Sequence, residues 1–123
     1  NNQSLLKRPN LLDDFPNSKF SNDADELIKT LRSRLAQKNM ETGKLYIKLK
    51  AYDSAIGSYK IVVNDYYDTK FYEQANLEII RCLIFQNQSI EAKNFLSNIE
   101  LNDKSLFNSS FKKKALDIIN SSS

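Results

Sequence analysis

The 123-residue chain carries 18 basic and 15 acidic side chains, for a formal net charge of +3, with two glycines, two prolines, one cysteine and no histidine. That allows one continuous core, is too mild a charge to predict nucleic-acid binding by itself, and offers too few turn formers for a sheet protein. The lack of histidine excludes a histidine-based catalytic triad, and with Cys82 as the sole thiol it also excludes a zinc site built from the usual nitrogen and sulfur ligands.

No apolar run approaches the ~20 residues that cross a bilayer, and the N-terminus lacks a signal-peptide core. The chain starts at Asn1 without a methionine, so a mature product or fragment, separated from its targeting information, is expected. Residues 1–20 read as the end of a preceding repeat and a turn. Pro9 suits the first turn of a short helix with Leu11, Leu12 and Phe15, which Pro16 then ends.

From 21 to about 50 the pattern predicts one long helix. Ser21, Asn22 and Asp23 are N-cap types, Asp23 and Glu26 have capping-box spacing, and Leu27, Ile28, Leu31, Leu35 and Ala36 carry the apolar stripe. This is about twice a repeat helix, so the excess is expected to project beyond its own hairpin and brace the one before. Gly43 costs about 1 kcal/mol against alanine in a helix interior, which points to a close helix crossing or a bend there.

A turn at Lys50 and Ala51 leads into a helix over 52–66 with Tyr52, Ala55, Ile56, Tyr59, Val62, Val63 and Tyr66 at helical steps. A third helix, about 70–86, has a stripe wide enough to face two neighbours and should be the most buried. Ser89 can cap a fourth, bearing Ile90, Ala92, Phe95, Leu96 and Ile99. Residues 101–105 read as a loop in which Asn102 or Asp103 caps a last helix, about 105–119. There Phe107, Phe111, Ala115, Ile118 and Ile119 face inward and Lys112, Lys113 and Lys114 outward, and residues 120–123 are expected to be disordered.

Within 39–69 the order of sizes says more than the stripes: small Gly43, then Tyr46, Tyr52, Ala55, Tyr59 and Val62. This resembles a tetratricopeptide repeat, in which small residues let two antiparallel helices approach and aromatics fill the next hairpin's groove. Ala92 follows Ala55 by 37 positions, near the repeat length of about 34. The expected fold is all-α: antiparallel hairpins stacked as a short solenoid over residues 21–119, with one long helix and a C-terminal capping helix.

Cys82, on the buried side of its helix, reads as a small core hydrophobe rather than a reactive thiol. The acid pairs sit at helix ends, where capping explains them. The basic segments are spread over three elements, but Arg32 and Arg34 lie mid-way along the long helix and can pair with acids of a neighbouring hairpin or of a partner protein. Tyr66, Tyr67 and Tyr72 cluster at one inter-repeat corner, and amphipathic aromatics suit interfaces, although most repeat tyrosines pack internally. The candidate partner contacts are therefore Arg32, Arg34, Tyr66, Tyr67 and Tyr72, with no catalytic, cofactor-binding or metal-ligating residue.

The order Phe15-Pro16-Asn17-Ser18-Lys19-Phe20, the long helix holding Leu31-Arg32-Ser33-Arg34-Leu35-Ala36, then Tyr46, Ala51-Tyr52, Ala55 and Asn64-Asp65-Tyr66-Tyr67-Asp68-Thr69, resembles the C-terminal half of the BamD (YfiO/ComL) outer-membrane assembly lipoprotein family over about residues 11–100. It departs where Tyr67 replaces the family's usual proline and where the final helix runs past the usual end. The resemblance implies a non-catalytic scaffold of the β-barrel assembly machinery, in the periplasm and tethered to the outer membrane by an N-terminal lipid absent from this chain. It implies as partners a BamA-like protein, other Bam subunits and unfolded outer-membrane proteins. The alternative is a tetratricopeptide adaptor that binds a peptide or partner protein in the cytoplasm or periplasm.

Overall fold

The computed structural model describes residues 19–121, and among these every regular element is a helix: α1 Lys19–Lys48, α2 Tyr52–Asp65, α3 Tyr72–Phe85, α4 Ser89–Asn102 and α5 Ser109–Asn120. Each packs on the next, and α5 also returns to α3. The helices therefore form tetratricopeptide-like antiparallel hairpins, α1 with α2 and α3 with α4, closed by α5. The expectations for residues 1–18 and 122–123 lie outside the described residues.

The two hairpin turns are built alike. At the first, Lys50 adopts φ 60 and donates its N–H to the Ile47 carbonyl at 2.9 Å, while Ala51 N–H reaches Tyr46 at 2.8 Å. At the second, Asn87 adopts φ 60 and donates to Ile84 at 2.9 Å, while Gln88 reaches Leu83 at 2.9 Å. These paired bonds are the Schellman arrangement, which satisfies the last helical carbonyls through one left-handed residue. Asparagine adopts that conformation at less cost than lysine, so Lys50→Gly is expected to stabilise the fold by about 0.5–1 kcal/mol, and Asn87→Gly by less. Urea unfolding of the two variants measures the difference.

The turns lie 37 positions apart, as do Ala55 and Ala92, both wholly buried. The core has two layers that share α3. Its Ala75, Ile79 and Cys82 pack with Ala36, Ala55, Tyr59 and Val62 of the first hairpin. From its other side, Leu77, Ile80 and Ile84 pack with Ala92, Leu96, Phe111 and Ala115. With seven buried positions α3 is the most enclosed helix, as its wide stripe implied.

Gly43 marks a close crossing. A Cβ placed on it would lie 2.6 Å from Cζ of Tyr59 and 2.8 Å from each Cε. Only a residue without a side chain lets the α2 ring lie flat on the α1 backbone.

Two helix starts differ from expectation. The α1 backbone is already helical at Lys19, so Ser21, Asn22 and Asp23 lie inside it; a capping preference is local and the helical ladder overrides it. Downstream, Asp25 and Glu26 flank the Lys29 ammonium at 3.7 and 3.6 Å. At the other end Asn108, not Asn102 or Asp103, caps the last helix, its side chain accepting Phe111 N–H at 2.9 Å. Asn102 ends α4, and Asp103 instead accepts Leu106 N–H at 3.1 Å. The chain must first turn Leu106 into the core, and α5 can begin only afterwards.

Candidate docking surfaces

The corner between α2 and α3 is held from inside. Arg32 of α1 is 6 % exposed; its Nε donates to Asp68 Oδ1 and Oδ2 at 3.2 and 3.0 Å, and its Nη2 to Asp68 Oδ1 and the Asp65 carbonyl, each at 2.6 Å. The guanidinium lies 5.3 Å over the Tyr66 ring, and that ring is buried beneath it. A planar fork of donors suits this task, since it grips two carboxylate oxygens and stacks at once. The Arg32 hydrogen bonds hold the Asp68 carboxyl below its ordinary range, and the same bonds raise the guanidinium. Burial pushes the Tyr66 hydroxyl up.

Of the five candidate contact residues, Arg32 and Tyr66 therefore brace the corner internally, Arg32 through an acid of the neighbouring hairpin. Arg34, Tyr67 and Tyr72 reach the surface on two different sides. Tyr67, 64 % exposed, and half-buried Tyr72 line a cleft of about 600 Å³ that continues to Asp103, Ser105 and Asn108. Tyr72 donates its hydroxyl to Asp103 Oδ2 at 2.5 Å, and burial together with this acceptor pushes the phenol up to about 12. Glu73, which also lines the cleft, pairs with Lys114 at 3.1 Å. Arg34 instead lines a hollow of about 270 Å³ on another face, with Lys29, Lys70 and Phe71.

Other side chains fill structural places. Cys82 is wholly buried, and desolvation pushes its thiol up to about 11, far from the thiolate that reactivity requires. Asn76, 1 % exposed, donates to the Tyr72 carbonyl at 2.9 Å within α3. Sequence reasoning did not single out Asn76, nor Asp68 as the partner of Arg32. The one available signal for that pair was a separation close to the repeat length, which brings equivalent corners of successive hairpins together. Among the described residues no group of three or more metal-ligand side chains gathers, and no helix is long and apolar enough to cross a membrane.

Comparison with known proteins places these surfaces in context. The family model described as "YfiO: Outer membrane lipoprotein" matches residues 1–96, ending inside α4 and leaving α5 beyond it. The outer membrane protein assembly factor BamD of Rickettsia prowazekii (strain Madrid E) is 28% identical over 88 residues, covering 72% of this chain and 35% of that protein. The chain thus spans about a third of the length of this curated relative. No solved structure matches.

Proposed function

Since the chain belongs to the YfiO family of outer membrane lipoproteins, we propose that it is a non-catalytic scaffold piece of the β-barrel assembly machinery, working on the periplasmic side of the outer membrane. The observation that carries this reading is the family match across most of the chain, and 28% identity to an assembly factor supports it. In this reading the hairpins dock the periplasmic domains of a BamA-like subunit and sit beside other Bam subunits, near incoming unfolded barrel proteins.

The exposed side chains Arg34 and Tyr67 are its contact candidates. Aromatic and arginine side chains dominate interface energetics, and both of these stand outside the core, so their removal spares the fold. The test is affinity capture of the tagged chain from solubilised outer membranes, probed for the BamA-like barrel subunit. Recovery of that subunit is expected, falling about tenfold with Arg34→Glu or Tyr67→Ala while thermal unfolding stays unchanged. A chain that never brings down the barrel subunit is not part of this machinery. An adaptor that binds a peptide elsewhere would give that negative result.

A further inference from the structure

The cleft of about 600 Å³ beside Tyr67 draws on separate parts of the chain. Val63, Asn64 and Tyr67 come from the end of α2 and just beyond it, while Asp103, Ser105 and Asn108 come from the segment between α4 and α5. That segment lies past residue 96, where the family match ends, so matched residues alone do not make this cleft. Two contacts fix its shape in advance. Tyr72 donates its hydroxyl to Asp103 at 2.5 Å, and Lys114 of α5 reaches Glu73 of α3 at 3.1 Å, so the segment and the helix after it are both tied to α3.

The two carboxylates that line the cleft are already engaged. Glu73 meets the Lys114 ammonium, and Asp103 accepts from the Tyr72 hydroxyl and, at 3.1 Å, from Leu106 N–H. They need no further cation, yet they repel an anion. Other polar groups are unused. The exposed Asn64 amide and Ser105 hydroxyl make no side-chain hydrogen bond among the described residues. Asn108 spends its Oδ1 on Phe111 N–H at 2.9 Å, which holds the amide plane and leaves Nδ2 to a ligand. An apolar ligand would strand these groups away from water at a cost. The Tyr67 ring, 64 % exposed, adds an open aromatic face.

A ligand that answers all of these has no net charge, many hydroxyls and a flat C–H face. Saccharides have that combination. A side-chain amide donates to one hydroxyl and accepts from its neighbour, and a carboxylate with spare lone pairs accepts from another. The negative face of an aromatic ring attracts the polarised C–H bonds of a sugar. The volume falls within the range of small-molecule sites and suits about two or three sugar rings. We propose that this cleft binds a neutral oligosaccharide, with one sugar ring on Tyr67 and its hydroxyls on Asn64, Ser105 and Asn108. The inference goes beyond the scaffold reading and does not rest on it.

Nitrogen-15 NMR of the full chain, titrated separately with chitotriose, maltotriose and cellotriose, tests this. At least one of these is expected to shift the Tyr67, Ser105 and Asn108 signals saturably. Tyr67→Ala is expected to weaken that binding about tenfold and Asn64→Ala about fivefold, while Tyr67→Phe, which keeps the stacking face, stays within about twofold of the parent. Both positions are exposed, so a circular dichroism spectrum matching the parent accompanies each loss. No saturable shift with any of the three sugars overturns the proposal, as does binding that Tyr67→Ala leaves unaltered. Stronger shifts of the same signals by spermidine, or by an uncharged glycine–serine peptide, assign the cleft to a cation or a polypeptide and overturn it too. The titration uses the purified chain alone and can fail while the barrel subunit is still recovered. The reverse is equally distinguishable, since Asn64 plays no part in the capture experiment.

Discussion

Gly43→Ala is expected to destabilise the protein by about 1–2 kcal/mol, although alanine is the better helix former by about 1 kcal/mol. The added methyl would sit 2.6–2.8 Å from three ring atoms of Tyr59, inside any tolerable carbon contact. That ring is 1 % exposed and packed among Ala36, Ala55, Val62 and Ile79, so it can give way only toward the groove between α1 and α3. Gly43→Val is expected to cost about 3 kcal/mol or more. Gly57, also within a helix, has nothing within 4 Å of its added Cβ, and Gly57→Ala should stabilise by up to about 1 kcal/mol. Urea unfolding followed by circular dichroism decides the signs.

The second hairpin suggests a remedy for the first. The positions 37 residues after Gly43 and Tyr59 are Ile80 and Leu96, which pack in the same core cluster. A smaller partner on α2 thus admits a larger residue on the preceding helix. Gly43→Ala combined with Tyr59→Leu is therefore expected to lose at least 1 kcal/mol less than the sum of the two single changes. Additive losses would show that the ring and the glycine do not constrain each other.

The other large effect is expected at Arg32 and Asp68. Asp68→Ala removes the carboxylate that accepts three hydrogen bonds from a guanidinium that is 6 % exposed, and should cost about 2–4 kcal/mol. Arg32→Ala should cost somewhat less, about 2–3 kcal/mol, because the Asp68 side chain, 46% exposed, can turn to water. Arg32→Lys is not expected to rescue, since a single ammonium cannot reproduce the forked contact with both carboxylate oxygens and the carbonyl.

The same pair makes stability fall in acid. Asp68 has a folded pKa held below its unfolded value, chiefly by the hydrogen bonds from Arg32. Its contribution is complete above the unfolded carboxylate value of ~3.9 and is lost as pH falls through the lower folded value. Thermal unfolding between neutral pH and pH 2 should therefore show a steeper acid loss in the parent than in Asp68→Asn. Parallel curves would remove Asp68 from the account.

Much of this architecture was legible in the residues. Helical steps placed every helix, the size order around Gly43 and Tyr59 foretold the close crossing, and the two-sided stripe of α3 foretold its central place. What local patterns could not decide were matters settled by distant contacts. Tyr66 and Tyr67 are neighbours in sequence, yet one is 4 % and the other 64 % exposed, because α2 ends at Asp65 and helical periodicity no longer governs either. Arg32 and Arg34 looked equivalent, but two positions on a helix turn side chains about 200° apart, so one meets Asp68 and the other lines the hollow with Lys70 and Phe71. The start of α5 was missed because Leu106, in the loop before it, is held by the core rather than by its neighbours.

The stack has unlike ends. At one, α5 turns Lys112 and Lys113 outward over Phe111, Ala115 and Ile119, with Lys114 reaching Glu73. At the other, the turns of α1 before Arg32 run past the α2–α3 corner with Leu27 60 % and Leu31 38 % exposed. A body sliding along the long axis thus meets ammonium groups in one direction and leucines in the other.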